Sequence, residues 1–311
     1  MSDKVNGLPE DQELKLPDLL NSDAVREIHA TIEKEWGFLQ RSACQTAAGR
    51  ALWKHAIHDP LADLLAGETY LKNLHEKIKK DRLSNAREIS GVILAVRTLW
   101  FDSRLQDALN SPNGRAAQVV LLGAGMDTRA YRLSCLKDSD VFEVDFPEVL
   151  DVKTTILQAA KDSAFDSQHI IMSKAKSLTR VAADIKESDW MEKLEIAGYL
   201  PQKSTVWILE DFMNKPSTTL SNSAFQFYSD WPDHLLPSIG FTHVKLSQIG
   251  DPDAHFGLLN DPLNLFNKLR SLPRSLQTNP DDGTPCCRLY LVEASGSPDQ
   301  NASHNGPITQ S

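Results

Sequence analysis

Residues 118–151 read QVVLLGAGMDTRAYRLSCLKDSDVFEVDFPEVLD: an apolar run, a glycine turn, a helix start, and a second apolar run that ends on an acid. Val119 to Leu122 is uninterrupted by polar residues, the mark of a parallel strand covered on both faces. Gly123 and Gly125 let the chain turn sharply and let backbone N–H groups approach a ligand with no Cβ in the way. Asp127 and Thr128 are helix-starting residue types, so the turn is expected to feed a helix whose N-terminus favours an anion. Val141 to Val144 forms the next strand. Asp145 closes it about 20 residues beyond the glycines, where dinucleotide folds place a carboxylate that accepts both hydroxyls of a ribose.

A pair of glycines near a strand end is common in any turn and is weak by itself. The complete series of strand, turn, helix, strand and acid is far more specific, and it points to an α/β domain of Rossmann-like type that binds a nucleoside. The third glycine position of a dinucleotide fingerprint allows the close helix packing that holds a pyrophosphate. Thr128 stands there. A nicotinamide dinucleotide is therefore disfavoured, and an adenosine cofactor without a pyrophosphate, S-adenosyl-L-methionine, fits better.

The segments LLGAGMDTRAYRL (121–133) and VFEVDFPEVLDVKTTIL (141–157) resemble the leucine carboxyl methyltransferase family, including its bacterial and plant branch of O-methyltransferases. HDPLADLLAG (58–67), AVRTLWFD (95–102), VAADI (181–185) and TVWILE (205–210) match further blocks in the same order. The resemblance implies a class I methyltransferase sheet with an N-terminal helical cap and S-adenosyl-L-methionine as cofactor. It also implies roles for particular residues. Arg97 would clamp the methionine carboxylate, a task suited to a planar, bidentate donor. Gly123 and Gly125 would line the methionyl and ribose moieties, and Asp145 would take the ribose diol. Asp184 and Ile185 would meet the adenine, and Glu210 would face the methionine ammonium or the sulfonium. Arg50 would correspond to a basic residue near the acceptor side. The implied reaction is in-line displacement at a sulfonium methyl by an acceptor oxygen, carboxylate or hydroxyl, on a small molecule or a protein C-terminus, with the small molecule favoured. No general base is singled out by spacing.

Without the resemblance these side chains read more plainly. An arginine on a helix is usually a solvated charge, and Asp184 would be a turn or helix cap. Glu210 keeps more weight, because an acid at the carboxyl end of an apolar strand lies where open α/β sheets bind ligands.

One departure from the family is large. Asp211 follows Glu210 directly, whereas relatives continue through a further segment, a crossover helix and a fifth strand. A parallel crossover needs about a dozen residues or more, and residues 211–240 offer one helical candidate, Ser221 to Ile239, before a strand at 241–247. The chain is expected to lack about 40 residues, one helix and one strand of a complete sheet. Such a form would be impaired or inactive, acting as a non-enzymatic binding protein, and an unpaired sheet edge there would favour aggregation.

Composition excludes other classes. The 33 basic and 42 acidic residues give a net charge of −9, which argues against a nucleic-acid surface. The polar start MSDKVNGLPEDQ is unlike a secretory signal, and no apolar stretch reaches membrane-spanning length, so a cytoplasmic location without membrane partners is expected. The basic run Lys77 to Arg82 reads as the wet side of a helix. Four cysteines build no disulfide framework, and Cys286 and Cys287 read as packing residues. His55 and His58 lack a third ligand nearby, so no metal is expected. The Asn301 sequon has no role in that compartment. The expected organisation is a flexible tail (1–18), a helical cap (19–110) with Ile28, Ile32, Trp36 and Leu39 on one stripe, a nucleoside-binding domain (111–295) and a disordered tail (296–311). Strands are expected near 118–122, 141–145, 179–183, 205–210, 241–247 and 287–293, the last two as an antiparallel pair.

Overall fold

The computed structural model describes residues 14–110, 117–163, 171–210, 231–261, 264–276, 278, 280–281, 283, 286 and 288–296. Of the tails expected at 1–18 and 296–311, residues 1–13 and 297–311 lie outside the described residues, as do Cys287, Asn301 and most of the helical candidate Ser221 to Ile239.

The N-terminal part is helical as its periodicity predicts: α1 (Asp23–Glu35), α2 (Phe38–Leu52), α3 (Ala62–Ala66), α4 (Glu68–Leu83) and α5 (Val92–Asn110). The single stripe from Ile28 to Leu39 is broken, however. Trp36 and Gly37 are extended, with ψ 139° and 176°, so α1 ends and α2 starts in a new direction. Trp36 still packs on the core that Ile32 enters, which is why the apolar spacing runs unbroken through the bend. Lys77, Lys79 and Lys80 are exposed on α4, the solvated face that the charge run implies.

The sheet follows: β1 (Gln118–Leu122), the short α6 (Arg129–Arg132), β2 (Asp140–Asp145), α7 (Pro147–Ser163), β3 (Ser177–Ala182), α8 (Trp190–Ile196) and β4 (Thr205–Leu209). The four strands are parallel in the order β3-β2-β1-β4. This is a Rossmann-like α/β arrangement. The helix expected after the glycine turn is only four residues long and passes into a 3-10 turn at Ser134–Asp138. It is too short to supply an anion-binding N-terminus.

Burial explains the apolar run of β1. Val119 and Leu121 join the large core formed with α1 to α3 and α7, whereas Val120 and Leu122 join the core under α8. Alternate side chains of a strand point to opposite faces, so a run buried on both sides must be apolar throughout. Each such side chain contributes about 1.5–3 kcal/mol of transfer free energy. The helical cap and one face of the sheet share the first of these cores. It covers that face as well as reaching over the carboxyl edge. Val25, Ile32 and Leu64 of α1 and α3 are buried in that shared core.

After residue 230 come α9 (Pro232–Ser238), β5 (His243–Gln248), α10 (Leu265–Ser271) and β6 (Tyr290–Ser295). β5 and β6 pair antiparallel, as expected, and form a two-stranded sheet of their own. Helix α5 packs against both β4 and β6. Among the described residues β4 is the last strand of the parallel sheet, and Trp207 and Leu209 on its α8 face remain 36% and 44% exposed. Within the same residues no helix is long and apolar enough to cross a membrane, no group of His, Cys, Asp and Glu suits a metal ion, and Cys44, Cys135 and Cys286 are free thiols.

Candidate functional site

The chain reverses direction across the sheet at β1. β2 and β3 lie to one side of it and β4 to the other, which is a topological switch point, and ligands of open α/β sheets bind outside the carboxyl ends of the strands there. The registers Leu122 to Val144, Leu122 to Leu209 and Asp145 to Ala182 set the ends of all four strands level. Gly123, Asp145, Asp184 and Glu210 therefore occupy neighbouring positions along one edge, although 87 positions separate the first from the last in the chain.

The glycine turn is held from below. Gly123 and Gly125 have φ of +64° and +45°, backbone that glycine adopts without strain. A Cβ on Gly125 would stand 3.1 Å from the Cβ of Ala43 in α2, so the cap helix lies directly on the turn. Gly125→Ala is expected to cost about 1–2 kcal/mol from the left-handed backbone alone, read as a lowered melting temperature. The N–H groups of the turn have internal partners, contrary to the expectation that they face a ligand. Gly123 and Ala124 donate to the Val144 carbonyl at 2.9 and 3.1 Å, and Gly125 donates to Asp145 Oδ2 at 2.6 Å. The turn immediately follows β1, and its donors simply extend the pairing with β2. What the glycines supply is close approach.

Asp145 also accepts from the Phe146 N–H at 2.7 Å. Burial raises its carboxyl above the ordinary range, and the Gly125 and Phe146 N–H groups only partly offset that. Two of the roughly four lone-pair positions of a carboxylate are thus used, and the side chain stays half-buried, with capacity left for a pair of hydroxyls. Asp184 accepts from the Lys186 N–H at 2.9 Å in a turn just past β3. Ile185 packs at the margin of the core under α8.

At the other end of the edge, Glu210 Oε1 accepts from Arg129 Nη2 at 2.5 Å, and Glu210 Oε2 lies 3.8 Å from Arg97 Nε. Burial lowers the Arg97 guanidinium, Glu210 opposes that, and Arg129 and Arg50 add to the lowering. Arg129 is 3% exposed and bonds Asp102 of α5 at 2.8 Å and Asp127 of the turn as well. Burial acts to raise the Asp127 carboxyl, yet Arg129 first, then Arg50, Lys153 and Arg132, hold it at about 2. Arg132 forms a two-pronged pair with Asp102. Arg50 bonds Asp59 at 2.7 Å and the Met126 carbonyl at 2.5 Å, and Thr128 donates to the same Asp59 at 2.5 Å. Arg50, expected near the acceptor, is thus a buried support beneath the turn.

Burial sorts these residues. The six side chains or turns offered to a ligand (Arg97, Gly123, Asp145, Asp184, Ile185 and Glu210) are partly or fully exposed, whereas Arg50, Asp59, Asp102 and Arg129, behind them, are buried, and the Arg132 side chain is 4% exposed. Gly125, under Ala43, is the one candidate on the buried side. Apart from Arg50, this set escaped sequence reasoning. The signal that would have found it is Asp102 within the largely apolar stretch of α5, where a charge must find a partner.

A family model, "Leucine carboxyl methyltransferase", matches residues 43–213, more than half of the chain. The chain belongs to the leucine carboxyl methyltransferase family. The match spans α2 to β4 and so includes the glycine turn and every candidate at the edge. Similar proteins named "Putative S-adenosyl-L-methionine-dependent methyltransferase" occur in Parafrankia sp. (36% identity over 129 residues, covering 42% of this chain and 37% of that protein). Others occur in Mycolicibacterium smegmatis (33% over 182 residues, 58% and 47%) and Mycobacterium avium (36% over 192 residues, 55% and 56%). The chain spans about half the length of the curated relatives it matches. The family placement agrees with the resemblance carried by the glycine turn and Asp145.

Proposed function

We propose that this protein binds S-adenosyl-L-methionine at the carboxyl edge of the four-stranded sheet and transfers its methyl group to an oxygen of an acceptor, a small molecule in preference to a protein C-terminus. The observation that carries the reading is the donor set along that edge. A partly exposed acid, Asp145, sits beside the glycine turn, and a cation and an anion, Arg97 and Glu210, stand together beyond it. An acid suits a ribose diol, and an adjacent opposite pair suits the carboxylate and ammonium of an amino acid. Residues of that chemistry, on a turn with no Cβ at its exposed glycine, fit this cofactor. Asp184 and Ile185 would take the adenine, a polar edge beside an aliphatic face.

The bound cofactor supplies an electrophilic methyl on a sulfonium. The protein's own contribution is positioning and exclusion of water, which methyl transfer between fixed partners rewards most. Asp127 does not serve as a base, because a carboxyl held at about 2 is a poor proton acceptor at neutral pH. An acceptor carboxylate, already ionised, needs no such help, whereas a hydroxyl would. The supporting experiment is isothermal titration with S-adenosylhomocysteine. Micromolar affinity is expected, and a flat trace would remove the proposal.

A second reading has its own observation. Trp207 and Leu209, partly exposed on an outermost described strand of the parallel sheet, support an impaired, non-enzymatic binding form. Titration heat without methyl transfer to any carboxylate or hydroxyl acceptor would favour it.

A further inference from the structure

We propose that Arg129 is a positioning residue that selects the amino-acid end of the cofactor, by holding Glu210 away from Arg97 until a zwitterion arrives. This rests on the binding reading above and goes beyond it. Three carboxylates from three separate elements meet on this one guanidinium: Asp102 from α5 on Nε, Asp127 from the glycine turn on Nη1, and Glu210 from the end of β4 on Nη2. Its plane also lies over the Phe101 ring, 5.9 Å from the centroid. Each of its nitrogens is thereby committed, and the side chain is 3% exposed. Such a group does not move when a ligand binds. It is a fixed point between the cap, the turn and β4.

Glu210 stands between two arginines that hold it unequally. The contact to Arg129 is a hydrogen bond of 2.5 Å, and the approach to Arg97 is 3.8 Å, beyond hydrogen-bond length. The charges of the cluster balance: Arg50, Arg97, Arg129 and Arg132 face Asp59, Asp102, Asp127 and Glu210. A lone anion or a lone cation would upset that balance, whereas an amino-acid zwitterion keeps it. Its carboxylate takes Arg97, and its ammonium takes Glu210 Oε2, while Oε1 stays on Arg129. If Arg129 were absent, Glu210 would close on Arg97 as a direct pair and fill the place that the ligand carboxylate needs. Lysine is a poor substitute, because a single ammonium lacks the planar fork that reaches three carboxylates in fixed directions.

The test compares two ligands that share the nucleoside and thioether. S-adenosylhomocysteine carries the amino-acid end, and 5′-methylthioadenosine lacks it. Wild type, Arg129→Lys, Arg129→Met and Glu210→Gln would each be titrated with both, and their melting temperatures recorded. Wild type is expected to prefer S-adenosylhomocysteine. Both Arg129 variants and Glu210→Gln are expected to lose about 10- to 100-fold in affinity for it, the range of one or two charge-assisted hydrogen bonds, while 5′-methylthioadenosine stays within about threefold. Equal loss of both ligands in folded variants would show a merely structural arginine and overturn the proposal. So would unchanged affinity for S-adenosylhomocysteine. Should the Arg129 variants fail to fold, Asp102→Asn, which removes one of the carboxylates that fix the guanidinium, takes their place: a loss confined to S-adenosylhomocysteine supports the proposal, and an equal loss of both ligands or no loss overturns it. Wild type that binds neither ligand would overturn the cofactor reading itself, and this inference with it.

Discussion

Asp145→Ala is expected to remove measurable binding of S-adenosylhomocysteine, a loss of about 3–5 kcal/mol, or roughly 150-fold and upward. Two effects combine. The hydroxyls of a ribose lose a charged acceptor, each such bond contributing about 1.5–3 kcal/mol. The Gly125 and Phe146 N–H groups also lose their partner, so the turn on which the nucleoside would rest is no longer fixed. Asp145→Asn separates the two, since its amide oxygen still accepts from one N–H but carries no charge. The pH dependence is a second signature. Burial raises the Asp145 carboxyl above its ordinary range in the free protein. Hydroxyl donors bind the ionised form, so a bound ligand pulls that value down and takes up of ligand releases a proton. Affinity is therefore highest above the raised value and falls as the pH drops through it, by up to about tenfold for each pH unit. Titrations across the acid range should show this slope in wild type, and Asp145→Asn should be flat. Equal affinity for both proteins at every pH would show that Asp145 holds the turn and touches no ligand.

How much of this was legible in the chain depends on the distance over which each feature is decided. The strand at Val119 to Leu122 is local: a run buried by two cores has to be apolar, and the sequence says so. The acid at 145 follows from the same arithmetic, because the length of one turn, one short helix and one strand brings it back beside Gly125. The break at Trp36 and Gly37 was hidden by continuity, since Trp36 enters the core from an extended backbone as well as it would from a helix. The N–H groups of the glycine turn looked available because their acceptors, Val144 and Asp145, lie across a strand pair. The Arg129 hub was least visible of all. Two of its three carboxylate partners are 27 and 81 residues away, and only the packing of α5 and β4 against the turn makes them neighbours. Charges inside apolar helical blocks mark such a hub, but the choice among possible partners belongs to the tertiary structure.

Asp59→Ala is expected to be the most destabilising single change beneath the site, by about 3–5 kcal/mol, with a fall in melting temperature of roughly 10 °C. The Asp59 side chain is fully buried and accepts from Arg50, Thr128 and the Leu61 N–H, with Arg132 3.8 Å away. Burial acts to raise its carboxyl, but Arg50, Arg132 and Thr128 outweigh that and hold it below the ordinary value. Its stabilising effect is accordingly complete above the ordinary carboxylate range and is lost as the pH falls through the depressed one. The alanine variant should lack that part of the acid-induced loss of stability. The cost of Asp59→Ala comes chiefly from the cation left behind, since an unpaired buried charge is more unfavourable than the pair is favourable. Adding Arg50→Met should therefore restore part of the stability, although the Met126 carbonyl then loses its donor. Because Arg50 and Thr128 bracket the glycine turn, Asp59→Ala should also weaken S-adenosylhomocysteine binding, by less than Asp145→Ala does. A double-mutant cycle measured by denaturant unfolding checks the coupling, and purely additive costs for Asp59 and Arg50 would show that the buried pair does not act as one unit.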